Sequence, residues 1–78
     1  LSPAAFSRFF RRLTGRTCAA WLQELRLGRA CDQLASSDRG IAVIAAEAGF
    51  RSMTNFNRTF RRLRGATPRA WRATYGSR

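Results

Sequence analysis

A repeat constrains this chain more than any other feature. Shifting the sequence by fifty residues lays Ser2, Phe6, Arg8, Phe10, Arg11, Arg12, Leu13, Gly15, Thr17, Ala20 and Trp21 onto Ser52, Phe56, Arg58, Phe60, Arg61, Arg62, Leu63, Gly65, Thr67, Ala70 and Trp71. Helical periodicity alone would match the apolar positions. Here capping residues, glycines, arginines and tryptophans match as well. The fold must therefore present two equivalent elements and something that joins them.

In the second copy, Phe56, Phe60 and Leu63 stand at i, i+4 and i+7 and form the core side of a helix. Thr54, Arg58 and Arg61 point the other way, flanked by Asn55 and Arg62, with Asn57 nearer the boundary. Ser52 is placed as an N-cap and Gly65 as the residue that ends the helix. In the first copy Phe6, Phe10 and Leu13 repeat the core side, and Ala4, Arg8 and Arg11 face outward with Arg12 beside them. Ser2 caps this helix, Pro3 occupies its first position, and Gly15 closes it. Phe9 breaks the match, since it faces Thr59. It lies at the margin of the apolar side and is expected to pack on something outside this sequence.

Thr17 predicts the cap of a long connector over residues 17–36, with Trp21, Leu22, Leu25, Ala30 and Leu34 turned inward. Arg26 and Arg29 are expected in solvent or at helix ends. Gly28 is expected where another backbone comes close. A loop from Ser36 to Gly40 precedes a two-turn helix with Ile41, Ile44, Ala45 and Ala48 on one face. Val43 points away from that face, either as an ordinary exposed residue or as part of a partner surface. Gly49 then turns the chain into the second copy, so residues 41–65 predict a helix-turn-helix. Ala45 is small where its two helices should cross. Thr67-Pro68 restarts a helix over residues 67–75, whose Trp71 is expected to pack under the preceding unit. The expected architecture is all-α: two helix-turn-helix units, the first incomplete and represented by residues 1–16, joined by a long connector helix within one domain of residues 1–78.

Composition limits the partner. The 78 residues carry a net charge of +11, and all fifteen basic residues are arginine. With a sequence pI near 11.9, the default partner is a polyanion. Arginine reads guanine bidentately and clamps phosphate, although a GC-rich genome gives the same bias. There is no histidine, and Glu24, Asp32, Asp38 and Glu47 are scattered. No catalytic site, metal site or cofactor is expected from such a set. Cys18 and Cys31, about 20 Å apart along one helix, cannot pair with each other and are expected to be small hydrophobes in a reducing cytoplasm. No apolar run approaches the length of a membrane span, and no signal peptide is visible.

Three stretches carry a resemblance: LSPAAFSRFFRRLTG, LRLGRACDQLA and IAVIAAEAGFRSMTNFNRTFRRLRGATPRAWR. They resemble, nearly end to end, the DNA-binding domain of the AraC/XylS family of bacterial transcription regulators. The second half holds the family pattern I-x-x-I-A-x-x-x-G-F followed by F-x-R-x-F-R-R-x-x-G-x-x-P-x-x-W/Y-R. The resemblance implies two helix-turn-helix units on a long helix, each placing its second helix in a major groove of double-stranded DNA. It also implies a supporting helix, and another before it, ahead of the position of Leu1. The chain is thus expected to be a piece of a longer cytoplasmic protein with an effector or dimerisation domain upstream. RNA polymerase is a further candidate partner.

Sorting contacts by reach, Thr54, Asn55, Asn57 and Arg58 are the expected base readers of the second unit, and Ala4, Ser7 and Arg8 those of the first. Arg58 suits guanine and Asn55 suits adenine. Ser2, Arg11, Arg12, Ser52, Arg61, Arg62 and Arg64 are the expected phosphate contacts. Two readings compete: a nucleic-acid binder without sequence preference, and a basic amphipathic element on an anionic membrane surface. The second calls for long uninterrupted helices, whereas Gly15, Gly40, Gly49 and Gly65 punctuate this chain.

Overall fold

A computed structural model describes residues 2–76; Leu1, with which the first predicted segment begins, and Ser77 and Arg78 lie outside the described residues. Five α-helices and no strand are found among the described residues: α1 (Pro3–Thr14), α2 (Cys18–Ser36), α3 (Ile41–Glu47), α4 (Met53–Arg64) and α5 (Pro68–Tyr75). The expected all-α class holds.

The repeat is reproduced at the level of single hydrogen bonds. Ser2 Oγ accepts from the Ala5 N–H and Ser52 Oγ from the Asn55 N–H, each at 3.1 Å. Gly15 and Gly65 close α1 and α4 in the left-handed region, at φ 74° and 76°, where a side chain would be strained. Thr17 and Thr67 then cap α2 and α5 in the same way, accepting at 3.1 Å from Ala20 and Ala70. Each unit sets a tryptophan edge-on to a phenylalanine, Phe10 on Trp21 at 5.3 Å and Phe60 on Trp71 at 6.0 Å between ring centres. Sequence repetition therefore yields two copies of one local structure, because caps and turns are decided by neighbouring residues.

Packing separates the copies. Phe56 and Phe60 are fully buried, and Leu27, Ala30, Cys31 and Leu34 of α2 and Ile44, Ala45, Ala48 and Phe50 of the support helix and turn are buried with them. Ile41, Leu63 and Trp71 pack around this cluster. In α1, by contrast, Phe6 is 48% exposed and Leu13 68%. The expected core role of these two residues is not met, since no described helix covers them as α3 covers α4. Phe9, at the margin of the same side, is exposed as well.

The connector corrects a second expectation. Trp21, Leu22 and Leu25 were expected inward and are exposed, while Leu27, which the periodicity did not single out, is fully buried. At ~100° per residue, Leu22 and Leu25 lie on the side of α2 opposite Leu27 and Leu34. The helix carries two apolar arcs facing opposite ways, and only the C-terminal arc is roofed by α3, α4 and α5. Gly28 departs from expectation too, for a Cβ there would meet nothing within 4 Å. The assembly is elongated, 45 × 20 × 19 Å, with a radius of gyration of 14.3 Å, against ~11.5 Å for an ordinary globule of this length.

Candidate nucleic-acid interface

The helix-turn-helix is held as a rigid pair. The chain leaves α3 through Gly49 at φ 103°, and the Phe50 N–H returns to the Ala45 carbonyl at 3.0 Å. Phe50 then stands edge-on to Phe56, 4.9 Å away. Arg26 of α2 lies across Gly49, its Nε 3.3 Å from where a Cβ would sit. Arg39 grips Glu47 by donating from Nη1 and Nη2 to its two carboxylate oxygens, tying the lead-in of α3 to its last turn; this pairing holds the Glu47 carboxyl below the usual carboxylate range. With its apolar side locked in this way, α4 has one orientation in which to present its polar side.

That polar side is exposed. Thr54, Asn57, Arg58, Arg61 and Arg62 are all open to solvent, as is Ser52. Arg58, Arg61 and Arg62 form no ion pair among the described residues. Ser52 Oγ spends a lone pair on the helix cap but keeps its proton to donate. A groove beside this face is lined by Ile41, Met53, Asn57, Arg58, Arg61, Thr67, Pro68 and Arg69. Arg69, which sequence reasoning left unassigned, therefore extends the cationic surface. The residue offers no local signal for this, because its place depends on how α5 docks.

Two residues of the expected set stand apart. Arg64 is half-buried and turned inward, its Nη1 3.2 Å from Glu24 of α2. The pairing gives Arg64, an expected phosphate contact, a structural role, because Leu63 and Gly65 end the helix over the connector, where Glu24 lies within reach. Arg64 also adjoins Cys31, whose thiol is pushed above its ordinary pKa by burial although the guanidinium pulls the other way. Asn55, half-buried, sits on the flank that meets α2. The Thr59 hydroxyl, itself buried, donates to Asn55 Oδ1 and accepts from Gln23 Nε2, both at 3.1 Å. The sequence hint was a threonine on the apolar side, between Phe56 and Phe60.

In the first unit Ala4, Ser7 and Arg8 share the exposed outer face of α1 with Arg11 and Arg12, and Ser2 caps its start. Short side chains occupy the places of Thr54 and Asn57. Arg8 alone has the reach of its counterpart Arg58. The two faces are built on one rigid connector of 19 residues, ~28 Å long.

Residues 1–74 match the family described as Helix-turn-helix domain. Among curated proteins, the HTH-type transcriptional activator RhaR of Cronobacter sakazakii is 39% identical over 70 residues, covering 90% of this chain and 25% of that protein. The arabinose operon regulatory protein of Escherichia coli is 32% identical over 73 residues, covering 94% of this chain and 25% of that protein. The chain thus spans about a quarter of the length of these relatives. Among solved structures, the DNA-binding domain of AdpA, a global transcriptional factor crystallised with a target DNA, gives a TM-score of 0.89 at 39% identity over 96% of this chain and 68% of that one. A Listeria innocua protein of unknown function, at 23% identity, has the same fold with a TM-score of 0.87.

Proposed function

The chain belongs to the AraC/XylS family of helix-turn-helix proteins, and from that premise we propose that it binds double-stranded DNA sequence-specifically to regulate bacterial transcription. The observation that carries this reading is the exposed row Thr54, Arg58 and Arg61 on a helix whose opposite side is fully buried through Phe56 and Phe60. Such a helix offers donors and charge at fixed positions, as major-groove readout requires. Thr54, Asn55, Asn57 and Arg58 face base edges, while Ser52, Arg61 and Arg62 hold phosphates. The first unit contributes Arg8, with Ala4 and Ser7, and clamps the backbone through Ser2, Arg11 and Arg12.

A molecule 45 Å long is long enough to set two recognition helices in successive major grooves, ~34 Å apart on one side of the duplex. A single copy would cover a two-part asymmetric site. The open apolar side of α1 and the N-terminal arc of α2 suit a helix supplied from ahead of Leu1, standing to α1 as α3 stands to α4. An upstream effector or dimerisation domain, contact with RNA polymerase, and a place in the bacterial cytoplasm belong to the same proposal.

The test is selection from a randomised duplex pool, followed by competition with random-sequence DNA. A specific reader retains a preference of ~10³-fold or more for the selected site. Equal competition by random duplex would overturn the reading in favour of a non-specific binder, and preference for anionic vesicles over any duplex would replace it by a membrane role.

A further inference from the structure

The hydrogen-bond chain from Gln23 through Thr59 to Asn55 links the connector to the recognition helix. Thr59 is 3% exposed, so its hydroxyl has only these two neighbours to serve. A hydroxyl carries one proton. In the structure that proton goes to Asn55 Oδ1, and the oxygen accepts from Gln23 Nε2, each at 3.1 Å. A planar carboxamide held by its carbonyl oxygen turns its amino group the other way. The amino group is thus the end of the Asn55 amide that Thr59 does not hold.

We propose that Gln23, a residue of the connector that lies behind the recognition helix, sets the base preference of Asn55 by fixing which end of its amide faces the DNA. With the amino group outward, Asn55 reads an acceptor on the base edge: O6 or N7 of guanine, O4 of thymine or N7 of adenine. The bidentate adenine pairing expected from residue type needs both amide ends outward, and Thr59 withholds one. The proposal rests on the reading of α4 as the major-groove helix. It adds a positioning residue, Gln23, that residue type and helical spacing could not reveal.

Polarity along the chain is reversible in principle, which makes the proposal testable by one atom. In Gln23→Glu the carboxylate can only accept, so the single Thr59 proton turns toward it in a charge-assisted bond. The Thr59 oxygen then accepts from Asn55 Nδ2, and Oδ1 faces outward. An outward acceptor selects N4 of cytosine or N6 of adenine. In Gln23→Met neither polarity is imposed.

The experiment selects sites from a randomised duplex pool with the unaltered chain and with Asn55→Ala, Gln23→Glu and Gln23→Met, each checked for folding by its circular dichroism melt. The expected result is that Asn55→Ala erases discrimination at one base pair, ~10-fold in the unaltered chain. Gln23→Glu then changes the preferred base at that same pair to a donor-presenting one, and Gln23→Met flattens it while leaving the other pairs intact. If Asn55→Ala erases the preference but Gln23→Glu and Gln23→Met only weaken all sequences alike, the relay is overturned. If Asn55→Ala changes no position, the relay is overturned while DNA reading through Arg58 stands. If the unaltered chain selects no sequence, the proposed function fails, and the relay with it.

Discussion

Arg58, Arg62 and Arg64 share one helix and one charge yet differ in what their surroundings leave them to do. Arg58 is exposed on the outward row and Arg62 lines the cleft beside Arg16, Gln23 and Glu24, whereas Arg64 is 27% exposed and paired with Glu24. Arg58→Ala should cost ~1–3 kcal/mol on the preferred site and relax one base position. Arg62→Ala should weaken every sequence alike and lower the slope of log affinity against log salt by about 0.9. Arg64→Ala should leave that slope unchanged and instead lower stability by about 0.2–1 kcal/mol, the range measured for exposed ion pairs. Salt titrations on preferred and random duplex, with a urea melt for Arg64→Ala, separate the three roles. An Arg64→Ala slope change equal to that of Arg62→Ala would return Arg64 to the phosphate set.

At the level of elements, Gly65 at a helix end and Gly28 within a helix answer to different physics. Gly65 sits at φ 76° with open space around it, so Gly65→Ala should cost about 1 kcal/mol through backbone strain alone. Gly28 has ordinary helical geometry and equally open space, so Gly28→Ala should stabilise by up to about 1 kcal/mol. Urea midpoints at constant m report both, and a destabilised Gly28→Ala would mean that the position touches something further along the chain. The helix starts, the four side-chain caps and the αL closures at Gly15 and Gly65 were legible in the sequence because each depends on residues within one turn. What periodicity could not show is which side of α2 is roofed. Leu22 and Leu25 form as good an apolar arc as Leu27 and Leu34, and only the docking of α3 to α5 chooses between them. The same blindness hid Arg64, whose role depends on Glu24, forty residues away in the chain. It also hid Gln23, which meets Thr59 only once α4 crosses the connector.

Across the whole molecule, stability is unevenly distributed. Among the described residues, every fully buried large side chain belongs to the C-terminal arc of α2 or to the second unit, so the two copies of the repeat should open separately. Native-state hydrogen exchange should show α1 amides exchanging well before those of α4. Phe56→Ala should cost ~3–5 kcal/mol, the range for a buried aromatic, and Phe6→Ala a fraction of that. Equal protection of α1 and α4 would show that the first copy is held by contacts other than those described. A lengthened first copy that supplies a covering helix should bring the two into line.

The opposed arcs of α2 make it a phase-keeping shaft between two reading heads. One residue inserted near Arg26 turns everything beyond it by ~100° and advances it by ~1.5 Å, whereas a step of one base pair turns the duplex by only about 34–36°. Seven inserted residues nearly restore the angle, to within about 20°, and lengthen the shaft by ~10.5 Å. Insertion tolerance should therefore be low at every length: a single insertion abolishes two-part binding through the angle, and a helical heptad through the length, since the three base pairs that span ~10.5 Å turn the second half-site by about 100–110° around the duplex. Binding to duplexes of graded spacing reads this directly, and a single-residue insertion that binds the original site unchanged would show that only one head is engaged.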